Sequence, residues 1–137
     1  MIGLRLSTIL SGLAHISTMA AAFLLLFIPF YSGGETIDSR GGLTQISGSN
    51  VTLLEANGGS LLFVLIFPWL TTGVAVFSTI MGAPRNIEHS RVLWRWRSYS
   101  WAASVVLLAF VFLSFSTVGL FYIPALLLTI SAAFFNR

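Results

Sequence analysis

The sequence predicts an all-α membrane protein: a four-transmembrane-helix bundle with a small extracytoplasmic β-hairpin in the first loop, forming one domain of 137 residues. Three observations predict it. Hydrophobic residues make up 56% of the chain and charged residues 8%, whereas soluble domains carry about a quarter charged. The mean hydropathy is +0.92. The charges that exist are also grouped, leaving uncharged runs long enough to cross a hydrocarbon core of ~30 Å, which takes ~20 helical residues.

The first run spans about residues 6–30. Arg5 followed by apolar residues and MAAA at 19–22 gives it the look of a signal peptide. The run nevertheless continues through FLLLFIPF to Phe30, longer than a secretory core of ~7–15 residues, so an uncleaved span is expected. The second run covers about 60–81. The third and fourth come from one uncharged stretch, 98–136, which divides at FSTVG (115–119) into spans of about 98–115 and 119–135. Between the first two spans lies a loop, 31–59, and between the second and third another, 82–97.

Arginine distribution orients these spans, because basic residues close to the membrane favour the cytoplasmic side. Arg85, Arg91, Arg95 and Arg97 stand against Glu88 in the 82–97 loop, while Glu35, Asp38 and Glu55 stand against Arg40 in 31–59. The first loop is thus expected outside, the second inside, and both termini, with Arg5 and Arg137, in the cytoplasm. The expected location is the plasma (inner) membrane.

The outer segment is long for a connector in so small a protein. LTQI (43–46) and VTLLE (51–55) have strand-forming residues on either side of SGSN (47–50), predicting a β-hairpin that turns at SGSN. Glu35, Asp38, Glu55 and Asn57 are its candidate partner contacts. Asn57 or Ser60 is placed to cap the second helix, with Glu55 near its positive end.

The stretch SRVLWRWRSYSW (90–101) sets arginines among aromatic residues just ahead of the third span. Trp and Tyr favour the headgroup layer and Arg reaches anionic headgroups, so Arg91, Trp94, Arg95, Trp96, Arg97, Tyr99 and Trp101 are expected to form a membrane-interface anchor. A partner-docking helix is the alternative. Nucleic acid is not an expected partner despite a pI near 10.2, because that value reflects seven arginines against four acids and not a broad basic surface.

Within the first span, Ser7, Ser11, His15, Thr18 and Ala22 follow helical spacing and define a small, polar face suited to helix packing in lipid. His15 is the one ionisable residue well inside a span. Such a residue is a candidate proton relay, quinone hydrogen-bond partner or haem ligand; the plainer reading is a neutral imidazole hydrogen-bonded to a carbonyl or a hydroxyl. The other histidine, His89, falls in the cytoplasmic loop, which argues against a haem held by two histidines of this chain, and no cofactor or metal is expected. Pro68 and Pro124 fall inside spans and would free the carbonyls of Val64 and Leu120; Thr71 and Thr72 stand ready to satisfy displaced groups near the first kink.

The chain has no cysteine, which removes disulfides, thiolate metal sites and thiol redox chemistry. Hydrolase, metalloprotease and phosphate-loop motifs are absent, and no carboxylate falls within a span, where a proton-coupled exporter would need one.

TLLEANGGSLLFVLIFP (52–68) and SFSTVGLFYIPALLL (114–128) resemble recurrent segments of small bacterial four-helix membrane proteins that have no assigned activity. In these an acidic, hairpin-like loop precedes the second helix, and a turn of FSxGLFYxP type joins the last two. The layout is also similar to that of claudin-like proteins, in topology only, since the tryptophan and paired cysteines of the claudin outer loop are missing. The sequence accordingly leads to the expectation of a non-catalytic membrane protein, an accessory or assembly subunit of a larger membrane complex or a self-associating scaffold. Its expected partners are membrane lipids and other membrane subunits or further copies of itself. The alternative is a small transporter or a lipid- or quinone-binding protein with a cavity near His15 and Pro68.

Overall fold

The computed structural model describes residues 6–29, 31–32, 36–38, 45–47, 50–53, 58–82 and 90–136. Four α-helices form its body: α1 (Leu6–Phe27), α2 (Leu61–Met81), α3 (Ser90–Leu113) and α4 (Ile123–Phe135). A 3-10 turn, Gly58–Ser60, leads into α2, and another, Gly119–Tyr122, leads into α4. The helix α1, the helix α2 and residues 94–113 of α3 are each long and apolar enough to cross a membrane. The fourth element is shorter: its apolar run, Gly119–Phe135, opens as a 3-10 turn, and the α-helix proper has 13 residues, or ~20 Å of rise.

The helices form a closed ring in chain order, with α1 against α2 and α4, and α3 against α2 and α4. Successive helices are antiparallel. Ser11 meets Thr79 and His15 meets Thr72 between α1 and α2. Phe77 meets Trp96 and Phe67 meets Phe110 between α2 and α3, and Trp101 meets Phe134 between α3 and α4. One end of the bundle therefore holds Leu6, Met81, Ser90 and Phe135, and the loop end holds Phe27, Leu61, Leu113 and Ile123.

The two halves have different interiors. Toward the loop end Ala21, Leu25, Leu65, Leu107, Val111, Val118, Tyr122 and Leu126 form the apolar core, joined by Leu53 from the preceding loop. Toward the other end the buried positions are small or hydroxyl-bearing: Ser7, Ser11, Ser78, Thr79, Ser104, Ala132 and Ala133. Small side chains let helix backbones approach closely, and close packing is what joins helices where no hydrophobic force between them is available.

Three of the sequence-based expectations change. Among the described residues the two arms expected around 47–50 do not pair with each other. Thr36–Asp38 (β2) pairs antiparallel with Gln45–Ser47 (β3), with Ile37 opposite Ile46, and Tyr31–Ser32 (β1) pairs antiparallel with Asn50–Val51 (β4). Residues 45–47 thus pair backward in sequence, and Leu53 is 2% exposed in the helical core. Second, 90–97 is not loop but the first two turns of α3. Third, Pro124 does not kink a span. It sits in the first turn of α4, where a missing N–H costs nothing because that turn has no intrahelical acceptor for it.

The last two helices divide where expected. After α3, the Ser114 carbonyl accepts from the N–H groups of both Thr117 and Gly119, the latter at 2.7 Å. A Cβ on Gly119 would lie 2.5 Å from the Val111 carbonyl oxygen and 2.7 Å from that of Ser114, so the turn needs glycine for close backbone approach.

Candidate functional site

On α1 the buried residues are Ser7, Ser11, Ala14, Thr18, Ala21 and Leu25, in steps of four and three. The polar face read from sequence is therefore correct at Ser7, Ser11 and Thr18. It is displaced by one position at the other two sites: Ala14 and Ala21 point inward, leaving His15 and Ala22 half-buried at the border of the seam with α2.

Two hydrogen bonds cross that seam. Ser11 Oγ and Thr79 Oγ1 lie 2.9 Å apart. Each also lies within reach of a carbonyl of its own helix, Thr8 at 3.1 Å and Val76 at 2.8 Å. With one proton apiece, one hydroxyl donates across the seam while the other keeps its carbonyl. Farther along, His15 Nδ1 lies 3.0 Å from Thr72 Oγ1. Thr72 Oγ1 in turn reaches the carbonyls of Pro68 at 3.0 Å and Trp69 at 3.1 Å.

Those distances select a tautomer. If the Thr72 hydroxyl donates to its helix carbonyls, it accepts from His15 Nδ1–H, and two hydrogen bonds form. If it donates to Nδ1, the helix carbonyls lose it and the imidazole N–H is left on Nε2 facing apolar surface, where an unpaired donor is costly. The first arrangement satisfies more groups. It makes Nε2 a hydrogen-bond acceptor, and among the described residues Nε2 has no partner while not being buried.

Nε2 belongs to a residue that lines an outward-facing groove of about 380 Å³, with Trp69, Leu70, Gly73, Val74 and Phe77 as the other walls. The Trp69 indole stacks on the imidazole at 5.7 Å and 29°. A Cβ at Gly73 would make only an ordinary contact, with His15 Cε1 at 3.7 Å, so the groove floor there has room for a side chain. A second groove of about 280 Å³ follows on the other side of Trp69, between Met19, Phe23 and Leu26 of α1 and Leu62 and Ile66 of α2. Both lie along the α1–α2 seam, with Trp69 as a wall of each.

Pro68 is fully buried and lines neither groove. Thr71 and Thr72 donate to the carbonyls of Phe67, Pro68 and Trp69, not to Val64, the carbonyl that a proline at 68 releases. The proline's contribution to the site is indirect: its carbonyl helps to hold Thr72, which holds His15.

The residues of 90–101 separate into two roles. Trp94 (70% exposed), Tyr99 and Trp101 face outward, as do Arg95 and Arg97. Trp94, Arg97, Ser98 and Trp101 recur at helical spacing on one face of α3 and line a cleft of about 440 Å³. Trp96 instead turns toward α2, 5.8 Å from Phe77 at 73°, with its Cβ close to Gly82. The side chain of Arg91 lies outside the described residues, as do those of Glu35, Asp38, Glu55 and Asn57, so the candidate partner contacts and the Asn57 cap are not placed.

Among the described residues no group of three His, Cys, Asp or Glu side chains is positioned to hold a metal ion. Ser7 Oγ, Ser100 Oγ, Tyr122 OH and Asn136 Nδ2 are buried without a hydrogen-bond partner. Sequence reasoning found His15 but missed the walls that make a site of it. Trp69, Gly73 and Phe77 recur every four residues on α2, a signal of aromatic faces around a gap once α2 is known to flank His15. Comparison with known protein families, curated proteins and solved structures finds no match to this chain.

Proposed function

We propose that this chain is a small non-catalytic integral membrane protein that binds an apolar ligand, a lipid or quinone, in the α1–α2 groove. Four helices embed it in the plasma (inner) membrane with both termini cytoplasmic. The observation that carries the reading is a single imidazole: His15, fixed by Thr72 at 3.0 Å, presents an unpaired acceptor to an apolar groove of about 380 Å³. In hydrocarbon such an atom lacks the water that would satisfy it elsewhere, and a bound ligand supplies the missing partner. Arg95 and Arg97, exposed beside Trp94, Tyr99 and Trp101, support a headgroup-level anchor on the cytoplasmic side.

The test is purification of the full chain from its native membrane in mild detergent, followed by mass spectrometry of bound small molecules. A stoichiometric apolar ligand is expected, and Gly73→Leu, which fills the groove, should reduce it at least several-fold. A bound-lipid profile equal to that of the bulk membrane in both proteins would remove the reading.

A second reading is an accessory subunit or self-associating scaffold. It is favoured by the collar of large apolar side chains at the loop end, where Phe63, Phe112 and Leu113 are 79%, 80% and 83% exposed. Lipid covers such residues, and so does a partner helix. Under this reading a larger membrane protein or further copies co-purify, and Phe112→Ser with Leu113→Ser releases them while the monomer still inserts.

A further inference from the structure

We infer that the α1–α2 groove binds an apolar-tailed hydroquinone, the reduced form of a quinone, with a ring hydroxyl donating to His15 Nε2. This rests on the reading of the groove as a ligand site and narrows it to one chemistry.

The donor requirement comes from Thr72. Its hydroxyl is engaged by the carbonyls of Pro68 and Trp69 at 3.0 and 3.1 Å, so His15 donates through Nδ1 and accepts through Nε2. Of the six groove-lining residues only His15 and Trp69 carry polar side-chain atoms, and the indole only donates. A ligand that satisfies Nε2 must donate, as a phenolic hydroxyl does. The carbonyl oxygen of an oxidised quinone only accepts, and opposite Nε2 it would set lone pair against lone pair.

Depth excludes other donors. His15 lies nine residues after the first and twelve before the last residue of α1 (Leu6–Phe27), about 13 and 18 Å along the axis, close to the middle of a bilayer. Phospholipid headgroups and charged amphiphiles stay at the interface because burying their charge costs several kcal/mol or more. A neutral aromatic head can sit at this level.

Shape completes the match. Trp69 and Phe77 line the groove beside His15, and aromatic rings gain by packing against one another. A second apolar groove lies past Trp69, between Phe23 and Leu62, and an apolar tail laid across Trp69 would reach it. A long-chain alcohol would use that path and the acceptor but would leave the aromatic walls unused.

The experiment uses the full chain in phosphatidylcholine nanodiscs, titrated with decylubiquinol and decylubiquinone, which share one tail. Binding is measured at equilibrium, and the His15 Nε2 resonance is followed by nitrogen NMR. The hydroquinone is expected to bind about tenfold more tightly, the worth of one hydrogen bond to an otherwise unsatisfied group, and to shift the Nε2 resonance. His15→Phe should equalise the two affinities while tail-driven binding persists. If His15→Phe fails to fold, Thr72→Val serves instead: without its acceptor Nδ1 no longer fixes the tautomer, and the preference should shrink. Gly73→Leu should weaken binding of both forms. Equal affinities with an unmoved Nε2 resonance, or a preference that survives His15→Phe, overturn the hydroquinone inference and leave the groove reading in place. Failure of either form to bind, together with a native bound-lipid profile unaffected by Gly73→Leu, overturns both.

Discussion

At the residue scale, the buried hydroxyls matter more for what they satisfy than for how many there are. Thr18, Thr71, Thr129 and Ser104 each return a hydrogen bond to a carbonyl of their own helix, so they fill space without leaving a polar atom unpaired. Ser11 and Thr79 add a bond between helices. Across-helix hydrogen bonds in membrane proteins average ~0.6 kcal/mol. A double-mutant cycle of Ser11→Ala and Thr79→Val, measured by reversible unfolding in mixed micelles, is therefore expected to give a coupling of about that size. Tyr122 is the opposite case, fully buried against Phe110 with its hydroxyl unpaired. Tyr122→Phe removes an unsatisfied group and keeps the ring, so it should leave stability unchanged or raise it by about 1 kcal/mol. A clear loss of stability would mean that the hydroxyl has a partner, such as an internal water.

At the scale of elements, two prolines with the same sequence context differ in consequence. Pro68 lies inside α2, fully buried, with its carbonyl accepting from Thr72. Pro124 lies in the first turn of α4 and is exposed. Pro124→Ala should change stability by no more than about 0.5 kcal/mol, as expected of a surface change away from special features. If the groove holds the proposed ligand, Pro68→Ala should alter its retention as well as stability, because it moves the support of His15. The turn before α4 is stricter. A side chain at Gly119 would collide with backbone oxygens at 2.5 and 2.7 Å, so Gly119→Ala should cost about 1–3 kcal/mol, visible as a lower unfolding midpoint. A neutral Gly119→Ala would show that the Ser114–Val118 turn can open without disturbing the α3–α4 pair.

At the scale of the whole molecule, the division into an apolar half and a small, hydroxyl-rich half predicts unequal tolerance. Ala75 is completely buried in the middle of α2. Ala75→Leu should be destabilising by about 1–3 kcal/mol through overpacking, whereas Leu70→Phe, at an outward position 55% exposed, should be close to neutral in unfolding assays. The proposed orientation is testable with the same chain, because it has no cysteine of its own. A membrane-impermeant thiol reagent should label Gln45→Cys in intact cells and leave Ser90→Cys untouched. The reverse pattern would invert the topology.

The sequence by itself determined the number of helices and the approximate limits of the first two. Uncharged runs and turn residues are local properties, and α1 and α2 end within about three residues of the expected limits, close to the usual uncertainty of such boundaries. It also marked His15, since an ionisable residue in an apolar helix stands out without any structure. Other features depended on partners distant in sequence. Whether 14 or 15 faces inward is a rotation of ~100° about α1, set by how α1 meets α2 and α4. The strand pairing joins 45–47 and 50–51 to segments earlier in the chain, partners that the residues around SGSN could not reveal. The extent of α3 was hidden because arginines at 91, 95 and 97 read as loop, although exposed helical positions accommodate Arg95 and Arg97 equally well. The groove is the clearest case: its walls come from α2, its polar atom from α1, and the tautomer of that atom from Thr72. Only the packing of two antiparallel helices brings those three together.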